Sequence, residues 1–208
     1  MYLLSKNELS DFVKFVVIEN YKHHTAGLYD TNFFSNIKSI NEMESMFFDN
    51  AKIYVNKNDD QNIVSGVRVL KWNCIDELPI QSLFGINPLE IVNIDHYNSI
   101  WHIGRLAINK KCSNLRSLKK ILVNAFVDIC KDTKSVVFAE CDNKLLRVLE
   151  RLNIEIIRLG RSKKCLGSLT TPICIMYEGL INFYNKNKHL LSFELVSNSS
   201  KIGTYTKV

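Results

Sequence analysis

His102 and Arg105 are the side chains of this sequence whose types and setting most directly offer chemistry. They lie within Ser99-Ile-Trp-His-Ile-Gly-Arg-Leu-Ala-Ile108, a run of apolar and β-branched residues that predicts a buried strand. Polar groups in such a strand cost free energy unless something meets them. An imidazole, with an unperturbed pKa of about 6.5, can accept a proton near pH 7. A guanidinium can hold a carboxylate or a carbonyl. Two readings of His102 stay open: a general base, or a core histidine satisfied by a backbone carbonyl. Arg105 is likewise either a ligand-holding cation or half of a structural ion pair. Strict alternation puts residues three apart on opposite faces of a strand. A bulge between them would bring both to one cleft, and Gly104 is the kind of residue that a bulge or a close ligand approach uses.

The elements that must position these groups follow from periodicity. Leu115–Asp132 repeats apolar residues at Leu118, Ile121, Leu122, Ala125, Phe126 and Ile129, which predicts an amphipathic helix. Val136–Cys141 is a short apolar strand, and Lys144–Leu152 a second helix opening at Asp142-Asn143. Strand, helix, strand in this order predicts a parallel pair, because parallel strands need a long crossover. Upstream, the pattern predicts a helix over Glu8–Asn20, loops with a short helix near Glu42–Phe47, and a hairpin of Ala51–Asn56 with Ile63–Trp72. An irregular or briefly helical stretch, Ile75–Asn87, and a strand at Ile91–Ile94 come next. Downstream are strands at Ile154–Leu159 and Leu169–Met176 and a helix from Gly179 to about Leu191. The expectation is a single α/β (α+β) domain over 1–196, with a frayed tail over 197–208. Its mixed central sheet is antiparallel in the first half, has a central parallel strand pair, and is flanked by helices.

With 208 residues, 46% hydrophobic and 23% charged, the chain can bury a sizeable core. No apolar run approaches the roughly 20 residues of a membrane span, so no integral membrane association is expected. The N-terminal residues lack the pattern of a signal peptide, so a cytoplasmic location is expected. The six cysteines show no C-x-x-C spacing, and neither zinc nor a disulfide framework is expected. Cys141 carries no local mark of an activated thiolate. His23-His24 has no third ligand at metal spacing, so no metal site is assigned. Asp95-His96 reads as a turn. The net charge of +6 gathers over 105–120 and 158–164. Each cluster is either a solvated face or a receiver for nucleic acid, a phosphorylated cofactor or an acidic carrier protein. Aromatics do not interleave with them, so nucleic acid is not an expected partner.

Four stretches resemble the GNAT acyltransferases, and within them the branch of acyl-homoserine-lactone (autoinducer) synthases and N-acyl amino acid synthases. Ser65-Gly-Val-Arg-Val-Leu70 is similar to a Gly-x-x-Arg-Leu strand, and Trp101-His-Ile-Gly-Arg-Leu to a Trp-Glu-x-Ser-Arg-Phe strand. Glu140 to Ile154 resembles a segment in which a polar residue opens a helix. Arg158-Leu-Gly160 with Leu166-Gly167 resembles the strand and loop that follow. A fainter match puts Glu44 and Asp49 on the acidic cluster before the strand at Tyr54-Val55. The likeness covers about residues 44 to 180.

The resemblance implies an N-acyltransferase that moves an acyl group from acyl-CoA or the acyl-phosphopantetheine of an acyl carrier protein to a small amine, such as an amino acid or homoserine lactone. It implies a splay between the two central parallel strands that admits the pantetheine arm, and His102 and Arg105 as catalytic residues, His102 falling on the synthase glutamate. Arg68, Glu44, Asp49 and Gly104 would bind the acceptor substrate. Ile108, Arg116, Lys119 and Asn143 would meet the acyl donor, with helix capping as the plainer reading of Asn143. This sequence departs from the pattern at Gly104, where the synthases have serine. It departs again at Ser113-Asn-Leu-Arg-Ser-Leu118, which has no glycine where many relatives cradle a pyrophosphate. Two other functions stay open: a short-chain, acetyl-CoA-dependent N-acetyltransferase, and a non-catalytic lipid-binding or regulatory module of the same fold.

Overall fold

The computed structural model describes residues 1–191; the predicted tail over 197–208 lies outside them. In chain order the elements are β1 (Tyr2–Leu3), α1 (Leu9–His24), α2 (Phe33–Phe47), β2 (Ala51–Lys57), β3 (Ile63–Lys71), α3 (Pro79–Phe84), α4 (Pro88–Ile91) and β4 (Ser99–Ile108). There follow α5 (Leu115–Phe126), β5 (Ser135–Asp142), α6 (Asn143–Arg151), β6 (Ile157–Arg158), β7 (Lys163–Cys165), β8 (Ser168–Met176) and α7 (Tyr177–Asn187). Among the described residues the strands form one eight-stranded sheet in the order β1-β2-β3-β4-β5-β8-β6, with β7 alongside β8. β4 and β5 pair in parallel and every other pair is antiparallel. The mixed sheet expected from the strand–helix–strand order is therefore present.

Strand alternation gives the sheet two buried faces. On one, Val67, Val69, Ile103 and Val137 pack against Ile121 and Leu122 of α5 and Leu180 and Phe183 of α7. On the other, Val55 and Ala107 meet Phe12 and Val16 of α1 and Ile40 of α2. Farther along that second face, Leu70, Ile100 and Phe138 meet Phe47 and Ile80.

Two irregularities in β4 set up everything that follows. Gly66 pairs with Ala107 and Arg68 with Gly104, so three steps along β4 oppose two along β3. The extra residue is a bulge, and Arg105 occupies it with φ +57°. A non-glycine residue in this left-handed region is strained by about 1–2 kcal/mol, which side-chain contacts must offset. The β4–β5 ladder runs from Ser99–Ser135 to Ile103–Ala139 and then stops, although β4 continues to Ile108 and β5 to Asp142. A bulge bends its strand and increases the local twist, so β4 leaves β5 at the point where the bulge begins. The sheet parts there.

Four predicted elements differ from the structure. α2 is 15 residues long, not a short turn near its end, because Phe33, Ile40 and Phe47 recur at seven-residue spacing and are all buried. The predicted strand at Ile91–Ile94 is instead the end of α4 followed by a single 3-10 turn; Asn87 caps the helix through Leu89 N, and Pro88 supplies its first residue. The helix predicted to Asp132 ends at Phe126, with a separate turn at Ile129–Lys131. The strand predicted over Ile154–Leu159 is reduced to Ile157–Arg158.

Candidate active site

The bulge puts Arg105 on the same face as His102 and Gly104, the face covered by α1, α2 and α3. There a chain of five polar side chains crosses three strands and a helix. Arg105 Nε donates to Glu44 Oε1 at 2.7 Å, and Glu44 Oε2 lies 2.8 Å from Arg68 Nε. That second approach is at ion-pair distance but poorly aligned for a hydrogen bond, and Arg68 Nη1 makes none. Instead the Arg68 guanidinium sits over the Phe47 ring at 5.2 Å. Arg68 Nη2 is 2.9 Å from His102 Nδ1, and His102 Nε2 is 2.9 Å from Glu140 Oε1. Arg68, Glu44 and His102 are fully buried.

The geometry assigns the protons. A guanidinium has no acceptor, so His102 Nδ1 accepts from Arg68 and the ring proton sits on Nε2, donated to Glu140. Burial pushes the His102 pKa down, and the Arg68 and Arg105 charges outweigh nothing but add to that, against the pull of Glu140. The imidazole is neutral, with both nitrogens engaged. Burial opposes ionisation of Glu44, yet Arg68 and Arg105 hold its carboxyl below the usual range. Glu140 behaves alike: burial raises its pKa, and His102, Arg105 and Arg68 together bring it below normal. Two guanidiniums, two carboxylates and a neutral imidazole leave the buried network with no net charge, the condition under which buried ions are tolerated.

Gly104 lies beneath this network. A Cβ there would come 2.9 Å from Arg68 Nη2 and 3.5 Å from His102 Cε1. The absence of a side chain is what lets the guanidinium reach the imidazole.

Where β4 and β5 part, a cavity of about 390 Å³ opens through the sheet. On the α2 and α3 side its wall mixes polar groups, among them Arg105, Glu140, Ser168 and Thr170, with Ile40, Met43 and Leu83. On the α5 side it is apolar, including Leu122, Phe126, Val137, Leu149 and Ile175. A second cavity of about 370 Å³ adjoins it, sharing Val16, Asn20, Leu106, Asp142 and Leu145, and extends to Ser113 and Asn114 at the start of α5. The tail of α1 crosses this outer end: His23 Nε2 bonds the Ile108 carbonyl at 3.0 Å, and Lys144 Nζ bonds the His23 carbonyl at 2.9 Å.

The structure brings together His102, Arg105, Arg68, Glu44 and Gly104. It does not bring Asp49 to them; that side chain is 83% exposed and 4.0 Å from Lys6. Ile108 is buried at the end of β4 and lines the second cavity. Arg116 is exposed and Lys119 half-buried on α5, and neither lines a cavity. Asn143 does not cap α6. Asp142 does, accepting from Lys144 N and Leu145 N, while Asn143 Oδ1 accepts from the Thr171 hydroxyl at 2.7 Å. Glu140 was missed as a site residue. Its signal was a lone carboxylate inside the apolar run Val136–Cys141, the same kind of signal that singled out His102. Among the described residues no cluster of three or more His, Cys, Asp or Glu is placed to hold a metal ion, and no helix is long and apolar enough to cross a membrane.

No protein-family model matches the chain, and neither does any curated protein. Solved structures do. The N-acyl amino acid synthase FeeM, from uncultured soil microbes, superposes with a TM-score of 0.58 at 9% identity, over 84% of this chain and 91% of that one. The AHL synthase LasI gives 0.56 at 13% identity, over 88% and 90%. A GNAT-family acetyltransferase from Staphylococcus aureus Mu50 gives 0.52 at 12% identity, over 83% and 95%. The chain has the GNAT fold, shared with acyl-homoserine lactone synthases, an N-acyl amino acid synthase and GNAT acetyltransferases.

Proposed function

We propose that the chain is an N-acyltransferase that carries an acyl group from a phosphopantetheine thioester to a small amine. The observation that carries this reading is the cavity through the parting of β4 and β5, which presents Arg105, Glu140 and hydroxyl groups on one side of the sheet and a wholly apolar lining on the other. A thioester in the gap has its acyl chain directed to Leu122, Phe126 and Leu149, where apolar burial stabilises each methylene by about 0.8 kcal/mol. The acceptor amine occupies the polar side, beside Glu140. Arg105 faces it from β4: its Nε is taken by Glu44 and its Nη2 by the Met43 sulfur at 3.3 Å, which leaves Nη1 for a carboxylate or carbonyl of the acceptor. Arg68 and Glu44 fix Arg105 in place, and Gly104 makes room for them. Freed backbone amides of β4 beyond Ile103 are available to the thioester oxygen, a role in which preorganised donors lower acyl-transfer barriers substantially.

The pantetheine arm runs outward through the second cavity towards Ser113 and Asn114. One structural neighbour, BjaI, is described as a CoA-dependent acyl-homoserine lactone synthase with SAM and isopentyl-CoA, so a CoA donor is compatible with this fold. For this chain an acyl carrier protein is the favoured donor. The start of α5 has no glycine to bring backbone N–H groups to a pyrophosphate, whereas exposed Lys111 and Arg116 suit an acidic carrier surface. A cytoplasmic setting goes with either donor. The test is incubation with acyl-CoA and acyl-carrier-protein panels plus amino acids, following thiol release and amide mass. Thiol release that depends on both donor and amine is expected. No release with any pair refutes the reading.

A further inference from the structure

Glu140 is the only charged residue between Val136 and Cys141, and it reaches the wall of the through-sheet cavity next to Gly104 and Arg105. Its Oε1 takes the Nε2 proton of His102 in a 2.9 Å hydrogen bond, and its Oε2 makes no hydrogen bond among the described residues. His102 is fully buried, lines neither cavity, and has its one lone pair committed to Arg68. Both groups sit on the chamber side of the sheet, yet only the carboxylate has a free atom facing the chamber.

The geometry points to Glu140 as the catalytic group that receives the acceptor amine and takes its proton, with His102 as the positioning residue behind it. This rests on the acyl-transfer reading. The acceptor reacts as the free amine: its nitrogen forms a bond to the thioester carbon while an N–H proton passes to Glu140 Oε2. The carbon–sulfur bond then breaks, and the departing sulfur takes that proton from Glu140. The products are the amide and the thiol, and the carboxylate is regenerated.

The charged groups around Glu140 fit the task. His102 and Arg105 approach from β4, Arg68 from β3, and Lys164 lines the same chamber from β7. Glu44 of α2 is consumed by the two arginines, and Asp142 by the cap of α6. Burial raises the Glu140 pKa, but the positive side of this set prevails and keeps the carboxyl ionised at neutral pH. Losing the His102 N–H would therefore raise it.

The experiment compares kcat, donor KM and the pH dependence of kcat/KM for wild type, Glu140→Gln, Glu140→Asp and His102→Phe. Glu140→Gln keeps the size and an acceptor for His102 but removes one of the two buried carboxylates, so its thermal midpoint should fall below wild type, and rates are compared at a temperature where both are fully folded. Its kcat should fall by about 10²- to 10⁴-fold, the usual worth of a general base, with donor KM little changed and the acidic limb of the profile gone. Glu140→Asp should keep that limb at a reduced rate. His102→Phe, which has no N–H to donate, should move the limb to higher pH. If wild type turns over and Glu140→Gln keeps its rate and acidic limb, the assignment is overturned while acyl transfer stands. An unmoved limb in His102→Phe overturns the positioning role. If wild type releases no thiol with any donor, acyl transfer fails and the assignment falls with it.

Discussion

Glu44 is the residue on which the buried network closes, since its two oxygens answer two different strands. Replacing it with glutamine leaves Arg68 and Arg105 sharing Glu140 alone, one buried positive charge in excess, and breaking such a buried pair costs about 3–5 kcal/mol. Urea unfolding of Glu44→Gln should report a loss of that size, and activity should fall with it as Arg105 loses its anchor. The sequence named Glu44 and Asp49 together and had no means of choosing. The length of α2 decides: Ile40, Glu44 and Phe47 share one buried helix face, while Asp49 lies past its end in solvent. His102 and Arg105 were legible as polar residues in an apolar strand. Glu140 was equally exposed to that test, but its role depends on which neighbour takes the second nitrogen of His102. Only the fold supplies that.

At the scale of elements, the bulge in β4 performs two tasks: it turns Arg105 onto the face of His102 and it ends the ladder with β5. Ala139 forms the last rung, opposite Ile103, and its side chain points to the apolar half of the cavity. Ala139→Phe should fill the entrance to that half. Its kcat/KM for long acyl donors should drop roughly ten- to a hundredfold, on the scale by which apolar pockets discriminate, while short donors are spared; a series of donors of increasing chain length checks this. β4 itself was legible to its end residues because its apolar run has sharp borders. The bulge was anticipated from Gly104, although the left-handed residue is its neighbour Arg105. α2 was hidden by its asparagines and serines, which lower helix propensity, and its apolar positions are too widely spaced to dominate a short window. Ile91–Ile94 misled in the opposite sense: a brief apolar run does not distinguish a strand from a helix end.

For the whole molecule, the network couples folding to pH. The His102 pKa is lowered, so below its unfolded value of about 6.5 the unfolded chain binds a proton that the native state refuses, and stability falls as pH falls. Glu44 and Glu140 are also lowered, and Glu8, paired with Lys57 and bonded by Ser5, is brought down to about 2. Their contributions are present above the ordinary carboxyl range and are lost as pH drops through it. Urea midpoints should be flat between about pH 7 and 8, decline from about pH 6.5 downward and fall more steeply below about pH 4.5; a midpoint that rises on acidification from about pH 7 would contradict the neutral imidazole. The hairpin of β2 with β3 and the central parallel pair were legible from the alternation of elements; the place of β8 between β5 and β6 was not. The parting of the sheet arises from register, which periodicity does not encode, and only the resemblance to the GNAT acyltransferases implied it. That parting is the centre of the account, and its most direct test is a crystal structure with a non-hydrolysable acyl-pantetheine thioether. The account predicts the thioether carbon between β4 and β5 beyond Ile103 and Ala139, with the acyl chain against Leu122 and Phe126. A chain bound elsewhere, with β4 and β5 closed over an empty gap, would contradict it.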